Sequence, residues 1–127
     1  MQAYDAARFD PPAPLALVTV KSEELGIVIH DVPMLLDTGA DVSLLPRSHV
    51  GSLISAEGKH YELEAFDGTK STAPAITAEL QFLGKSFRGQ FLLIEAWHGV
   101  LGRNLLNNLS LLFDGPSRKW MERTSGP

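Results

Sequence analysis

The run Leu35-Leu36-Asp37-Thr38-Gly39-Ala40-Asp41 does most to limit what this chain can fold into. An apolar pair feeding Asp-Thr-Gly describes a carboxylate carried at a strand end on a tight turn. Asp and Gly are ordinary turn residues, so the triplet alone equally describes a hairpin corner. Its frame is unusual for a plain corner, because Leu35-Leu36 precede it and Val42, Leu44 and Leu45 follow it. A second run, Val100-Leu101-Gly102-Arg103-Asn104-Leu105-Leu106, lies far downstream and reads as a strand end leading into a turn.

The remainder is short strands and turns. Leu15–Val20, Leu25–Ile29, Val32–Leu36 and Val42–Leu45 read as strands, the last stopping at Pro46. Ser48–Leu53 suits a short helical turn. Tyr61–Phe66 alternates apolar and polar residues before Asp67-Gly68, a good hairpin signal. Ala75–Phe82 and Ser86–Ile94 make another hairpin about Leu83-Gly84-Lys85. Leu105–Leu109 suits one short helix, and Leu111–Phe113 with Lys119–Arg123 a last hairpin around Asp114-Gly115-Pro116. Many short strands at regular turn spacing predict an all-β, closed barrel-like fold with one short C-terminal helix. Pro11, Pro12 and Pro14 mark residues 1–14 as a flexible N-terminal arm. The domain then spans 15–124 and a tail 125–127.

Composition narrows the function. A length of 127 residues fits one domain. Eleven Lys and Arg against fifteen Asp and Glu give a net charge of −4, a poor match to nucleic acid, which needs a basic stripe. With no cysteine, disulfides and thiolate metal sites are excluded, and a cytoplasmic setting is compatible. Met1–Asp10 has neither the basic nor the apolar segment of a secretory signal. No apolar run approaches a bilayer span, so no membrane contact is expected. His30, His49, His60 and His98 share no metal-like spacing, so neither metal nor other cofactor is expected. Ser43 and Ser48 lack a neighbouring base for nucleophilic chemistry. Trp97 and Trp120 suit a core or a dimer interface.

The two runs together, in this order and with a hairpin between them, resemble the paired signatures of the retropepsins, the homodimeric aspartic proteases of retroviruses and their cellular and bacterial relatives. The resemblance covers roughly Leu15–Phe113. It implies the acid-protease barrel and an aspartic endopeptidase acting on extended peptides or proteins. One carboxylate takes a proton from water and the other polarises the scissile carbonyl. Carboxylates that close share one proton, as in aspartic proteases generally. Only one Asp-Thr-Gly is present, so the second Asp37 is implied to come from another copy, making a homodimer.

The resemblance also assigns roles. Asp37, Thr38 and Gly39 form the catalytic turn, with Thr38 bonding across the dimer axis. Ala40, Asp41 and Val42 contact substrate, and Arg103 holds Asp41 in a bidentate pair. Gly102, Arg103 and Asn104 support the turn, and Val42, Leu44, Val100 and Leu101 wall the pocket. Tyr61–Ala75 is the flap, with Phe66, Asp67 and Gly68 at its tip. The viral flap tip is glycine-rich, whereas only Gly68 is present here. The rival expectation is a catalytically silent dimerisation or peptide-binding module of the same fold, against which the intact Asp-Thr-Gly argues.

Overall fold

A computed structural model of the chain describes residues 1–54, 60–64 and 66–123. The expected tail, 125–127, lies outside the described residues. The strands are β1 (Gln2–Ala3), β2 (Leu15–Ser22), β3 (Ile27–Leu36), β4 (Leu44–Pro46), β5 (His60–Glu64), β6 (Lys70–Phe82), β7 (Lys85–Ile94), β8 (Gly99–Leu101), β9 (Leu111–Asp114) and β10 (Lys119–Glu122). One-turn helices α1 (Arg47–Val50) and α2 (Arg103–Leu106) and a 3-10 turn, Gly51–Leu53, complete the elements.

Strands pair in the order β2-β3-β8-β4-β7-β6, and β6 returns to β2 through Thr19–Gln81, Val20–Leu80 and Lys21–Glu79. That last pairing closes a barrel, which removes the open edges that a flat sheet would present. Alternation puts Ala16, Val18 and Val20 of β2 inside, with Met34 and Leu36 of β3 and Ile76, Ala78, Leu80 and Phe82 of β6. Each fully buried branched or aromatic side chain contributes roughly 1.5–3 kcal/mol. The inner half of β6 belongs to the barrel. Its outer half, from Lys70 to Pro74, pairs with β5 as a projecting hairpin.

Of the two expected strands, Leu25–Ile29 and Val32–Leu36, the first begins only at Ile27, after a turn that takes in Leu25 and Gly26, and runs into the second as one strand with an irregularity. Val18 pairs with Val32 but Val20 pairs with Ile29, so β3 carries one extra residue there. Asp31 absorbs it at φ 57, a conformation that Asp tolerates better than most side chains. The β6–β7 turn has Leu83 at φ 51 and Gly84 at φ 75, the double positive φ of a tight hairpin whose twist matches its strands.

A second, three-stranded sheet runs β1-β10-β9. Gln2 pairs with Trp120 and Ala3 with Lys119, so the first residues of the chain are hydrogen-bonded to its last strand. Trp120 is buried and meets Phe82 of the barrel with ring centroids 6.0 Å apart, joining the two sheets. The C-terminal helix starts at Arg103 and stops at Leu106, shorter than the expected Leu105–Leu109. Asn108 stops it, because its side-chain amide donates to the Asn104 and Leu105 carbonyls that a further turn would need.

Candidate active site

β3 and β8 lie side by side and parallel, with Met34 opposite Gly99, Leu35 opposite Val100 and Leu36 opposite Leu101. The chain leaves β3 at Asp37 while β8 still runs beside it, and the Asp37 N–H donates to the Leu101 carbonyl at 3.0 Å. The Ala40 N–H donates back to the Asp37 carbonyl at 3.2 Å, closing a turn over Asp37–Ala40. Inside it the Gly39 N–H donates to Asp37 Oδ1 at 2.9 Å. Among the described residues that is the one hydrogen bond to this carboxylate, which is half-buried at the end of an apolar strand. A carboxylate so placed is anchored through one oxygen and open at the other.

The turn is stitched to the second signature. The Arg103 N–H donates to the Ala40 carbonyl at 2.8 Å, and the Asn104 N–H to the Asp41 carbonyl at 3.3 Å. Arg103 Nη1 donates to the Thr38 carbonyl at 2.7 Å. The expected Arg103–Asp41 ion pair is not formed. The guanidinium goes to the turn's backbone instead, and Asp41 is exposed. One charge-assisted bond to a carbonyl that the turn leaves free replaces the two-pronged clamp.

Ser43 has no adjacent base for nucleophilic chemistry, yet it holds the crossing together. It is 4% exposed. Its hydroxyl accepts the Gly102 N–H at 2.9 Å and donates to Asn104 Oδ1 at 2.8 Å. A hydroxyl inside Val42–Leu45 was the available signal, since a buried polar group in an apolar run needs partners. Val42 and Ser43 of the expected strand Val42–Leu45 lie outside β4, which begins only at Leu44. Gly102 is required by closeness alone: a Cβ there would stand 2.3 Å from the Val42 carbonyl oxygen and 2.9 Å from that of Ala40.

The remaining expected residues divide by strand alternation. Val100 is half-exposed on the outer face of β8 beside Leu35, whereas Leu101 points into the barrel and is fully buried. Leu101 is therefore a core residue and not a pocket wall. Val42 is 48% exposed next to the turn, and Leu44 is half-buried. Thr38 and Gly39 are exposed. Phe66 stands free at the tip of the projecting hairpin, next to Asp67 and Gly68. Asp67 Oδ1 accepts the Thr69 N–H at 2.9 Å, and Gly68 takes φ 85. The Thr69 hydroxyl and N–H hold the Asp67 carboxyl below its ordinary value of 3.8. Among the described residues no group of three or more His, Cys, Asp or Glu could hold a metal. Nor is any helix there long and apolar enough to cross a membrane.

No curated protein sequence matches this chain. Among solved structures, the EIAV protease complexed with the inhibitor HBY-793 has the same fold, with a TM-score of 0.53 and 21% identity. That match covers 83% of this chain and 91% of the other. A sequence model of the retroviral aspartyl protease matches residues 13–113, a stretch that holds both signature runs, and the chain belongs to that family.

Proposed function

We propose that this chain is half of an aspartic endopeptidase, completed by a second copy. The carrying observation is Asp37: a lone carboxylate at a strand end, fixed through Oδ1 by Gly39 on an otherwise exposed turn. One carboxylate can accept a proton from water, but it cannot also donate one to the scissile carbonyl. Two copies facing across a two-fold axis supply both. Thr38 and Gly39, exposed beside Asp37, are the residues that meet the partner's turn. Among the described residues β9 has no strand neighbour on its outer side, and it exposes Leu112 and Phe113, an edge that suits pairing with a second copy.

In this reading an extended peptide lies between the two turns, against Val42, Leu44 and Val100, with the hairpin tip at Phe66–Gly68 above it. The ionised Asp37 draws the proton from water, and water attacks the carbonyl carbon. The protonated Asp37 hydrogen-bonds the carbonyl oxygen. The amine then leaves with the proton that the first carboxylate took up.

The test is hydrolysis of an unstructured protein by the purified chain. Cleavage is expected, with loss of it on adding a statine peptide that mimics the tetrahedral intermediate. Asp37→Asn keeps the shape but can neither accept nor share the proton. It is expected to fold and to lose turnover by orders of magnitude. Excess Asp37→Asn mixed into wild type is expected to depress activity further, through mixed dimers, and dilution should lower specific activity. Wild-type turnover in the variant, or specific activity constant down to monomer by sedimentation, defeats the shared-site reading.

A further inference from the structure

The N-terminal segment packs against the loop that feeds β8. Asp5 and Ala13 exchange backbone hydrogen bonds of 2.8 and 3.1 Å, so residues 5–13 form a closed loop. The Arg8 N–H donates to Asp5 Oδ1 at 2.9 Å within it. The loop presents Phe9 to Trp97 and His98, at centroid distances of 5.6 and 5.3 Å. Trp97 and His98 meet edge to face at 4.6 Å, and the Arg8 guanidinium lies 4.4 Å from the Trp97 ring centre. The His98 Nδ1–H donates to the Gly99 carbonyl at 2.8 Å, which fixes this ring.

This cluster adjoins the wall beside Asp37. Leu35 and Val100 share the outer face next to the turn, Leu15 lies opposite Leu35, and Leu17 opposite Pro33. Leu15, Leu17, Pro33 and Trp97 line an open groove of about 1080 Å³ together with Ala7 and Arg8. The groove reaches the wall at Leu15, which lies opposite Leu35. Trp97 lies in the bend between β7 and β8, three residues before Val100, so at most about 10 Å of chain separates them, within two to three residues of an extended peptide.

We propose that Trp97 and His98 form an aromatic side-chain subsite of the cleft and that Phe9, with Arg8, occupies it from within the chain. The arm is then a built-in competitor for substrates carrying an aromatic side chain two or three residues from the scissile bond. Ring-on-ring contact and the cation over Trp97 give the arm its hold, and both are available to an incoming Phe or Tyr with a basic neighbour. The proposal rests on the aspartic endopeptidase reading for the position of the cleft.

The test reads binding apart from turnover, in the full Asp37→Asn chain, by calorimetric titration. The probes are peptides with Phe at the second or third residue from the central bond, each matched by its Ala counterpart. Phe9→Ala is expected to tighten binding of one of the Phe peptides roughly 2- to 10-fold and to leave its Ala counterpart unchanged. Phe9→Leu, which keeps volume but loses the ring, gives the same comparison should Ala disorder the arm. Trp97→Ala is expected to abolish the preference for Phe. Equal effects on both members of every pair, no effect, or no binding of any peptide overturns the proposal. Cleavage by the Asp37 protein is scored separately: binding preference without cleavage removes the endopeptidase reading and leaves the subsite in place.

Discussion

Arg103 reaches back across the fold to donate one hydrogen bond, 2.7 Å long, from Nη1 to the carbonyl of Thr38. It thereby ties the residue after Gly102 to the residue after Asp37. Its own backbone N–H also donates to the Ala40 carbonyl, so Arg103 holds the Asp37–Ala40 turn at two places.

A single bond to a carbonyl makes a definite prediction about substitution. Arg103→Ala is expected to cost about 1 kcal/mol, since the side chain is exposed and one hydrogen bond is lost. It is also expected to reduce turnover, by letting the Asp37–Ala40 turn move. Lys has one ammonium that can reach a carbonyl, so Arg103→Lys should restore most of both. A bidentate carboxylate clamp would behave differently, because Lys lacks the planar fork. Denaturant titration together with kcat for the two variants separates the cases: Lys as damaging as Ala would mean the Thr38 contact is not what Arg103 contributes.

Ser43 gives a sharper stability test because it is buried. Ser43→Ala leaves the Gly102 N–H and Asn104 Oδ1 without their shared partner, a cost of about 1–3 kcal/mol. Ser43→Thr keeps the hydroxyl and should cost less. The measurement is the urea midpoint of each variant, with Asn104→Ala and the double variant completing a cycle. Strict additivity of Ser43→Ala and Asn104→Ala would show that the bond between them carries no coupling energy.

The turn at Asp37 and the strand end at Val100–Leu101 were legible because their information is local: apolar runs, a glycine, and one chemically distinctive residue each. The closed all-β barrel was legible from turn spacing, with Leu83-Gly84 and Asp67-Gly68 marking real hairpins. What escaped was set at long range. The partner of Arg103 depends on which carbonyl the turn leaves open, and Ser43 meets Gly102 only because two distant segments cross. The joining of Leu25–Ile29 to Val32–Leu36 depends on Asp31 accepting a positive φ opposite a bulge. The resemblance implies a pocket wall at Leu101, and the sequence alone does not set the phase of so short a strand. The pairing Leu36–Leu101 sets it and turns Leu101 inward.

Gly102 tests the close crossing itself. A methyl group there would press on the Val42 and Ala40 carbonyl oxygens, both backbone atoms that cannot swing aside as a side-chain end can. Gly102→Ala is expected to destabilise the fold by at least about 1–3 kcal/mol, the usual range for overpacking, and to abolish turnover in whatever remains folded. Calorimetry should show a lower Tm. A Gly102→Ala protein with wild-type Tm and activity would mean that residues 40–42 and 102 do not approach this closely.

The last prediction concerns acid and the hairpin tip. The Thr69 hydroxyl and N–H donate to the Asp67 carboxylate and favour its charged form, which places this group below its ordinary value of 3.8. A depressed folded value means that ionised Asp67 helps order the tip. That contribution is fully present above the ordinary value and is lost as pH falls through the lower, folded one. The tip should therefore stay ordered across the mildly acidic range in which a shared-proton carboxylate pair works. It should loosen only below pH 3.8. An NMR titration following the Asp67 carboxyl carbon and the Thr69 amide should give a common midpoint below that value. Asp67→Ala should speed Thr69 amide exchange at every pH and remove the titration, while Asp67→Asn, which keeps an acceptor oxygen, should remove the titration and keep much of the protection. A midpoint at or above 3.8 in the intact chain would mean that Thr69 does not hold the Asp67 carboxylate in solution.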